Sequence, residues 1–193
     1  LFLSLVALIA ATMSFAQSTL GATLSHGDEI KTYYGTYALR TAWVEAASGD
    51  VINLSGGNFF MCGETYTKAV TIRGTGIDSD FPSVLTNSVE INIPETEANT
   101  MSMEGIRCQD WVNVKGAFEK ALFLKCDFFA VSWKTTSTNK NGFKFSDCIF
   151  HEEFNINENS TVNFLNCNIN RFSNNSSSSS TAIFIFVSPT IST

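Results

Sequence analysis

The chain has 193 residues and a formal net charge of −6, since 18 Asp and Glu residues outnumber 12 Lys and Arg residues. Its basic residues are scattered instead of clustered, which argues against nucleic acid as a partner because phosphate binding needs a concentrated positive surface. Its five cysteines lack the Cys-x-x-Cys pairs and neighbouring histidines of a metal site, so no metal site is expected. The length suits one domain.

The chain opens on an apolar stretch that predicts a secretory signal. Residues 1–16, LFLSLVALIAATMSFA, carry no charge and end in Ser14 and Ala16, small residues at the positions that a signal peptidase reads. The apolar run is well short of the roughly 20 residues that a membrane-spanning helix needs. We therefore expect cleavage before Gln17, a secreted or cell-envelope location in a bacterium, and no transmembrane segment after cleavage. Because the usual charged start of a signal is absent, we expect the sequence to be truncated there.

A short helix is predicted after a polar lead segment, residues 17–37. Apolar residues from Leu39 to Ala46 recur at helical spacing, and the turn residues 48–50 end the helix. The strand VINL (51–54) follows at once. A helix in this position would cover the open end of a stacked β structure, which would otherwise offer its edge for pairing with another chain.

Short strands are predicted through the rest of the chain. They are rich in β-branched or aromatic residues, span four to six residues and are bounded by Gly, Asn, Asp or Ser. The segments that contain them are VINL (51–54), AVTI (69–72), VEINI (89–93), GFKFSDCIF (142–150) and TVNFLNCNI (161–169).

One spacing pattern recurs along these segments. Phe-x-x-Cys-x-Phe begins at Phe123 and again 22 residues later at Phe145, and Phe-x-x-Cys-x-Ile begins 19 residues further on at Phe164. A related frame begins at Met103. Repeats of this length indicate stacked units that bury their apolar faces against each other. Each repeat has room for two or three short strands but no helix, so each is predicted to form one coil of an all-β solenoid with parallel pairing between coils.

The cysteines of this pattern, Cys126, Cys148 and Cys167, are predicted to point inward and to stack as a column of free thiols, because a buried thiol behaves as a small apolar group. The alternative is a disulfide, which a secretory chain permits and which the distance between neighbouring coils would allow. Side chains stacked on successive coils run parallel instead of facing each other, which favours free thiols.

Two pairs of residues are candidate ligand contacts. Lys125 and Asp147, together with Asn166, occupy the bend of the repeat and are predicted to form an outward line on consecutive coils. The alternative for this pair is a solvated ion pair worth a fraction of a kcal/mol. Trp111 and Trp133 are predicted to lie in the links between coils, where an exposed ring would stack on a sugar; the alternative is packing in the core.

The stretch from Leu39 to Phe59 resembles the opening of right-handed parallel β-helix proteins of the pectate-lyase-like superfamily, in which a capping helix ends in Gly-Asp and leads into a strand. KAVTIRGTGID (68–78) resembles the next coil, and Phe-x-x-Cys-x-Phe resembles the internal rungs. The resemblance implies a right-handed parallel β-helix over residues 38–172. Residues 173–193 hold a Ser-rich run and part of one more coil, so the stack is expected to continue past Thr193.

The resemblance implies no single activity, because that superfamily includes polysaccharide lyases, hydrolases, adhesins and inert spacers. With only His26 and His151 as histidines and the cysteines inward, no nucleophilic catalytic arrangement is predicted, and catalytic residues stay unassigned. We expect a secreted or surface-displayed, non-catalytic module that binds a polysaccharide or glycan without a cofactor. The alternative is a polysaccharide lyase whose site is completed by coils beyond residue 193; only that alternative would need Ca²⁺, held by acidic residues beside a cationic base.

Overall fold

The chain forms a parallel β-solenoid, which confirms the predicted all-β fold with a short helix at its N-terminal end. The computed structural model describes residues 20–61, 63–118, 120–135, 142–156, 162–174 and 184–187. The predicted signal at residues 1–16 lies outside these residues, as does Cys62.

The described residues contain helix α1 and strands β1 to β17. In chain order these are β1 (Gly21–His26), β2 (Glu29–Tyr34), α1 (Ala38–Glu45), β3 (Val51–Leu54), β4 (Gly57–Phe59), β5 (Thr65–Tyr66), β6 (Thr71–Arg73), β7 (Ser83–Leu85), β8 (Val89–Ile93), β9 (Met101–Glu104), β10 (Ile106–Gly116), β11 (Ala121–Leu124), β12 (Asp127–Thr135), β13 (Phe143–Ser146), β14 (Ile149–Ile156), β15 (Val162–Leu165), β16 (Asn168–Asn174) and β17 (Phe184–Val187).

Two sheets run along the solenoid. The first has the strand order β17-β15-β13-β11-β9-β6-β3-β1-β2, and the second has the order β16-β14-β12-β10-β7-β4, with β8 pairing both β5 and β10. Pairing is parallel from β3 onward and antiparallel only where β1 meets β2 and β3. Each coil therefore places one strand in the first sheet and then turns a corner into the second.

The N-terminal end is closed by the hairpin β1–β2 together with α1. Ala22 and Leu24 of β1 are buried, whereas the side chains of β2 are largely exposed. The polar lead segment, residues 17–37, thus contains this hairpin, and β1 pairs with β3 while Ala22 and Leu24 face the core. Lys68 fixes the end of the helix: its ammonium donates to the carbonyls of Val44 at 2.8 Å and Ala46 at 2.7 Å.

The interior is filled by columns of aromatic rings. Phe123, Phe145 and Phe164 are register partners on successive coils. The ring of Phe145 stacks on Phe123 with centroids 4.5 Å apart and on Phe164 with centroids 5.4 Å apart. A second column pairs Phe128 with Phe150 at 5.3 Å. The inward positions of the Phe-x-x-Cys-x-Phe frame are thereby confirmed.

Four successive coils bend at a residue with left-handed backbone conformation. The φ values are 63° at Gly105, 49° at Lys125, 55° at Asp147 and 51° at Asn166. Glycine, Asn and Asp adopt this conformation more readily than other residues, so Lys125 is the exception in the column. The bend turns the side chains of Lys125, Asp147 and Asn166 outward, while the next residue of each coil returns to the interior.

The predicted inward column of cysteines lies directly behind this bend. Cys126 and Cys148 are buried and Cys167 is half-buried, and these three together with Cys108 are free thiols. The thiol of Cys126 donates to the carbonyl of Met103 at 3.4 Å, and that of Cys148 donates to the carbonyl of Ser146 at 3.3 Å. The thiols therefore pack as small apolar groups and also donate hydrogen bonds to backbone carbonyls at the corner.

We expect Cys148 to resist alkylation in the folded protein. The neighbouring thiol of Cys126 and burial both raise the pKa of Cys148, which keeps it from forming the reactive thiolate at mildly alkaline pH. Burial likewise raises the pKa of Cys108. Iodoacetamide without reductant should leave both unmodified until urea is added, as read by peptide mass spectrometry. A disulfide-linked peptide joining Cys148 to Cys126 or Cys167 would instead support the alternative weighed from the sequence.

Candidate functional site

A groove of about 790 Å³ crosses successive coils at the corner where the first sheet ends, and we call it the corner groove. Asn53, Arg73 and Glu104 are register partners on β3, β6 and β9, and Lys125 and Asp147 occupy the bend on the next two coils. The groove therefore spans five coils. Its lining residues are Asn53, Arg73, Gly74, Thr75, Gly76, Ile77, Asp78, Ser79, Glu104, Gly105, Lys125 and Asp147.

Charges of opposite sign alternate along the corner groove. Arg73 is followed by Glu104, then by Lys125, then by Asp147, one on each coil. The guanidinium of Arg73 lies 3.3 Å from the carboxylate of Glu104, and both side chains are about half exposed. Because exposed pairs of this kind contribute little to stability, these side chains are free to exchange partners with a ligand.

Asp147 is held ionised at one end of the groove. The amide of Asn166 donates to its Oδ1 at 2.5 Å and the hydroxyl of Ser146 donates to its Oδ2 at 2.9 Å. These two hydrogen bonds, with a smaller contribution from the charge of Lys125, lower the pKa of Asp147. The carboxylate consequently has a fixed orientation, set by the line of bend residues that the sequence predicted.

One wall of the groove is the loop of residues 74–79. The loop is tied to the corner by Gly74 N–H, which donates to the carbonyl of Glu104 at 2.8 Å, and by Gly76 N–H, which donates to the carbonyl of Gly105 at 3.1 Å. The two backbones approach so closely that a Cβ on Gly105 would lie 3.0 Å from the Cα of Gly76. This wall is therefore built from backbone contacts that only glycines allow.

The structure brings Lys125 and Asp147 together in the corner groove but separates them from the two predicted tryptophans. Trp111 and Trp133 lie within strands β10 and β12 and not in links between coils. Trp133 is fully buried and its ring contacts that of Phe143 with centroids 5.0 Å apart, which corrects its proposed role as a ligand contact in favour of packing. Trp111 is half-buried and does not line the groove.

The positions of the tryptophans follow from the strand lengths. Strand β10 has 11 residues and β12 has 9 residues, longer than the four to six predicted. Each strand continues beyond an irregular register near its middle, between Cys108 and Trp111 on β10 and between Phe128 and Val131 on β12. The residues expected in a link therefore belong to a further paired segment, whose inward positions are core.

A second depression, of about 390 Å³, lies past the corner on the second sheet, and we call it the Phe129 depression. At its centre the buried carboxylate of Asp127 accepts from Arg107 Nε at 2.9 Å and faces His151 Nε2 at 2.7 Å. The sequence analysis did not predict that these three side chains converge. The sequence could have indicated that Arg107 and Asp127 are neighbours, because each comes immediately after the inward residue that follows the bend.

The acidic residues of neither site converge on one point. No group of three or more His, Cys, Asp or Glu side chains that could hold a metal ion occurs in the described parts of the chain. In the corner groove Lys125 stands on the coil between Glu104 and Asp147, so a cation would meet a positive charge between its two carboxylates. The groove is thus suited to hydrogen-bonding ligands and poorly suited to Ca²⁺, which wants six to eight oxygen ligands.

No helix in the described ranges is long and apolar enough to cross a membrane. Comparisons of the chain with protein-family models, with curated proteins and with solved structures find no match.

Proposed function

We propose that this chain is a non-catalytic, secreted or surface-displayed module that binds an extended polysaccharide along the corner groove. We also propose that it belongs with the pectate-lyase-like β-helix proteins. The parallel coils and the short helix that ends before Gly49 and Asp50 support that relationship. The apolar residues 1–16 support a location outside the cell.

The shape of the corner groove is the observation that carries this proposal. Its lining residues come from five successive coils, which corresponds to four steps of about 4.8 Å, or about 19 Å in total. A compact metabolite would contact only part of such a site. An extended polymer that lies along the solenoid axis would meet a new polar side chain at every coil.

The chemistry of the groove fits a polyhydroxylated chain. Arg73 and Lys125 offer N–H donors, and Glu104 and Asp147 offer carboxylate acceptors. A sugar hydroxyl both donates and accepts, so it can bridge neighbouring groups of opposite character. Since these groups are exposed and each contact is weak, affinity would arise from repetition along the polymer and would be modest.

Two features support a binding module over a lyase. A lyase of the pectate type needs acidic residues that jointly hold Ca²⁺ and a separate cation that removes a proton. In the groove the carboxylates of Glu104 and Asp147 are separated by one coil, and that coil carries the positive charge of Lys125, which opposes a calcium position shared between them.

Binding should depend on Lys125. We expect the full chain to bind at least one acidic or neutral polysaccharide on a glycan array, and Lys125→Glu to weaken that binding by about tenfold, or about 1.4 kcal/mol, since it places three carboxylates in succession. Lys134→Glu is the matched control, because it makes the same charge change at an exposed site outside the groove. Equal binding by both variants and the parent chain would rule out the groove as the site.

The same preparation tests catalysis. When the chain is incubated with pectate and Ca²⁺, we expect no unsaturated products. Ultraviolet absorbance measures them. Turnover that disappears in Lys125→Ala would overturn the non-catalytic assignment and support the lyase alternative.

A further inference from the structure

We propose that the Phe129 depression is a second binding site, one that takes a single pyranose ring of a glycan. None of its residues lines the corner groove, so the site stands on its own contacts and does not require the groove to be occupied. Its volume of about 390 Å³ falls at the lower end of the range of small-ligand pockets, as expected for one sugar.

Asp127 organises the polar side of this site. Its side chain is only 9% exposed although it projects from the outer face of the solenoid, and its two oxygens are each occupied, Oδ2 by Arg107 and Oδ1 by His151. Each oxygen already has one partner and the side chain is buried, so little of the carboxylate is left for a ligand to reach. It instead fixes two partly exposed side chains in place on neighbouring coils.

The groups that remain open are complementary to a hydroxyl pair. Arg107 donates from Nε to Asp127 and from Nη2 to the carbonyl of Ile77 at 3.4 Å, and its two terminal nitrogens carry further N–H donors. His151 uses Nε2 as the donor to Asp127, which leaves Nδ1 as an acceptor in the neutral ring. One hydroxyl of a sugar can accept from Arg107 while a neighbouring hydroxyl donates to His151.

Phe129 supplies the apolar side. It is one of the exposed large apolar residues, at 38% exposure, and it lies beside the irregular register of β12 and β14, where the strand is not held in regular pairing. Most other aromatic rings of this coil face the core. A ring beside a fixed donor and acceptor is the arrangement that suits the C–H face of a pyranose, with its hydroxyls directed to the polar side.

Other ligand classes fit these contacts less well. An inorganic anion would be drawn to Arg107, but Asp127 neutralises that charge at 2.9 Å. A metal ion would find a single buried carboxylate, already paired with the positive charge of Arg107. A purely apolar ligand would leave Arg107 and His151 without the water that now solvates them, which is unfavourable.

The test uses the full chain and the methyl glycosides of glucose, galactose and mannose. We expect saturation-transfer difference NMR to detect at least one of them, and Phe129→Ala to reduce the signal at least about fivefold by removing the ring. Phe81→Ala is the matched control, because Phe81 is 73% exposed and lies outside the depression. Signal from none of the three glycosides, or equal loss in both variants, would overturn the proposal.

A second readout separates binding from a structural role of Phe129. The Nδ1 resonance of His151 should shift when the methyl glycoside is added, whereas His26 should not respond. His26 is a suitable internal reference because it also contacts a buried carboxylate, that of Asp50 at 2.8 Å, but lies outside the depression. A His151 resonance that does not move would overturn the assignment. Polymer binding that depends on Lys125 is measured in a separate experiment. A negative result for the Phe129 depression can therefore be distinguished from a negative result for the corner groove.

Discussion

Replacing Phe145 with alanine should lower the free energy of unfolding by about 3–5 kcal/mol. Phe145 is fully buried and its ring contacts rings from its own coil and from both neighbouring coils, including Phe123 at 4.5 Å and Phe164 at 5.4 Å. Removing it leaves a cavity whose walls belong to three coils and cannot collapse together, since each coil is fixed by its backbone pairing. Urea unfolding followed by circular dichroism measures the change.

The matched control is Phe81→Ala. Phe81 is 73% exposed, so its removal should change the free energy of unfolding by no more than about 0.5 kcal/mol. A cost below about 1 kcal/mol for Phe145→Ala would mean that the aromatic column is not packed in solution as described. A mainly helical circular dichroism spectrum of either protein would contradict the solenoid itself.

Gly116→Ala should also be strongly destabilising, for a different reason. Gly116 ends β10 with a φ of 97°, and a Cβ there would lie 2.4 Å from the carbonyl oxygen of Ile93 on the adjacent coil. The backbone conformation alone costs an alanine about 1–3 kcal/mol. The clash adds about 1–3 kcal/mol more, because the carbonyl belongs to a paired strand and cannot move freely.

Gly35→Ala separates these two contributions. Gly35 has nearly the same φ, 95°, but nothing lies within 4 Å of the position that its Cβ would take. Thermal or urea unfolding should therefore show the smaller, conformational cost for Gly35→Ala and the larger cost for Gly116→Ala. Equal values for the two variants would show that the close approach of β8 and β10 is absent.

The repeat Phe-x-x-Cys-x-Phe was sufficient to predict the coil, its corner and its inward residues. The reason is local: a bend residue between two apolar positions fixes which side chains face inward, and neighbouring coils repeat that choice in register at Phe123, Phe145 and Phe164. The line of Lys125, Asp147 and Asn166 followed from the same frame, and all three share the left-handed backbone conformation that the bend requires.

The rest of the corner groove was hidden because the repeat is interrupted. Ile72 and Met103 are register partners although 31 residues separate them, against 20 between Ile52 and Ile72. Some of the additional residues form the loop that walls the groove and the others lie between β8 and β9, so Arg73 and Glu104 are further apart in the sequence than the repeat predicts. A period read from the cysteines could not align Arg73 with Glu104, so the alternation of charge was visible only in three dimensions.

The tryptophans show a different limit. Spacing indicated where a strand begins but not where it ends, because polar and apolar residues alternate on both sides of the irregular register in β10 and β12. Trp133 then falls on an inward position of the continued strand. Likewise, the contact between Asp127 and His151 joins different coils at different positions of the frame, which no single-period alignment would pair.

The bend residues also affect how the outer surface of the solenoid can change in sequence. Four coils use the same backbone conformation at Gly105, Lys125, Asp147 and Asn166, and the side chains of the last three project from the solenoid without entering its core. Selection for folding alone would favour Gly, Asn or Asp at each, because a lysine in that conformation is strained. Lys125 therefore departs from the residue types that stability favours at this position. These outward positions can be substituted one coil at a time without changing the interior, so under the proposed glycan binding the preference for a ligand would change coil by coil.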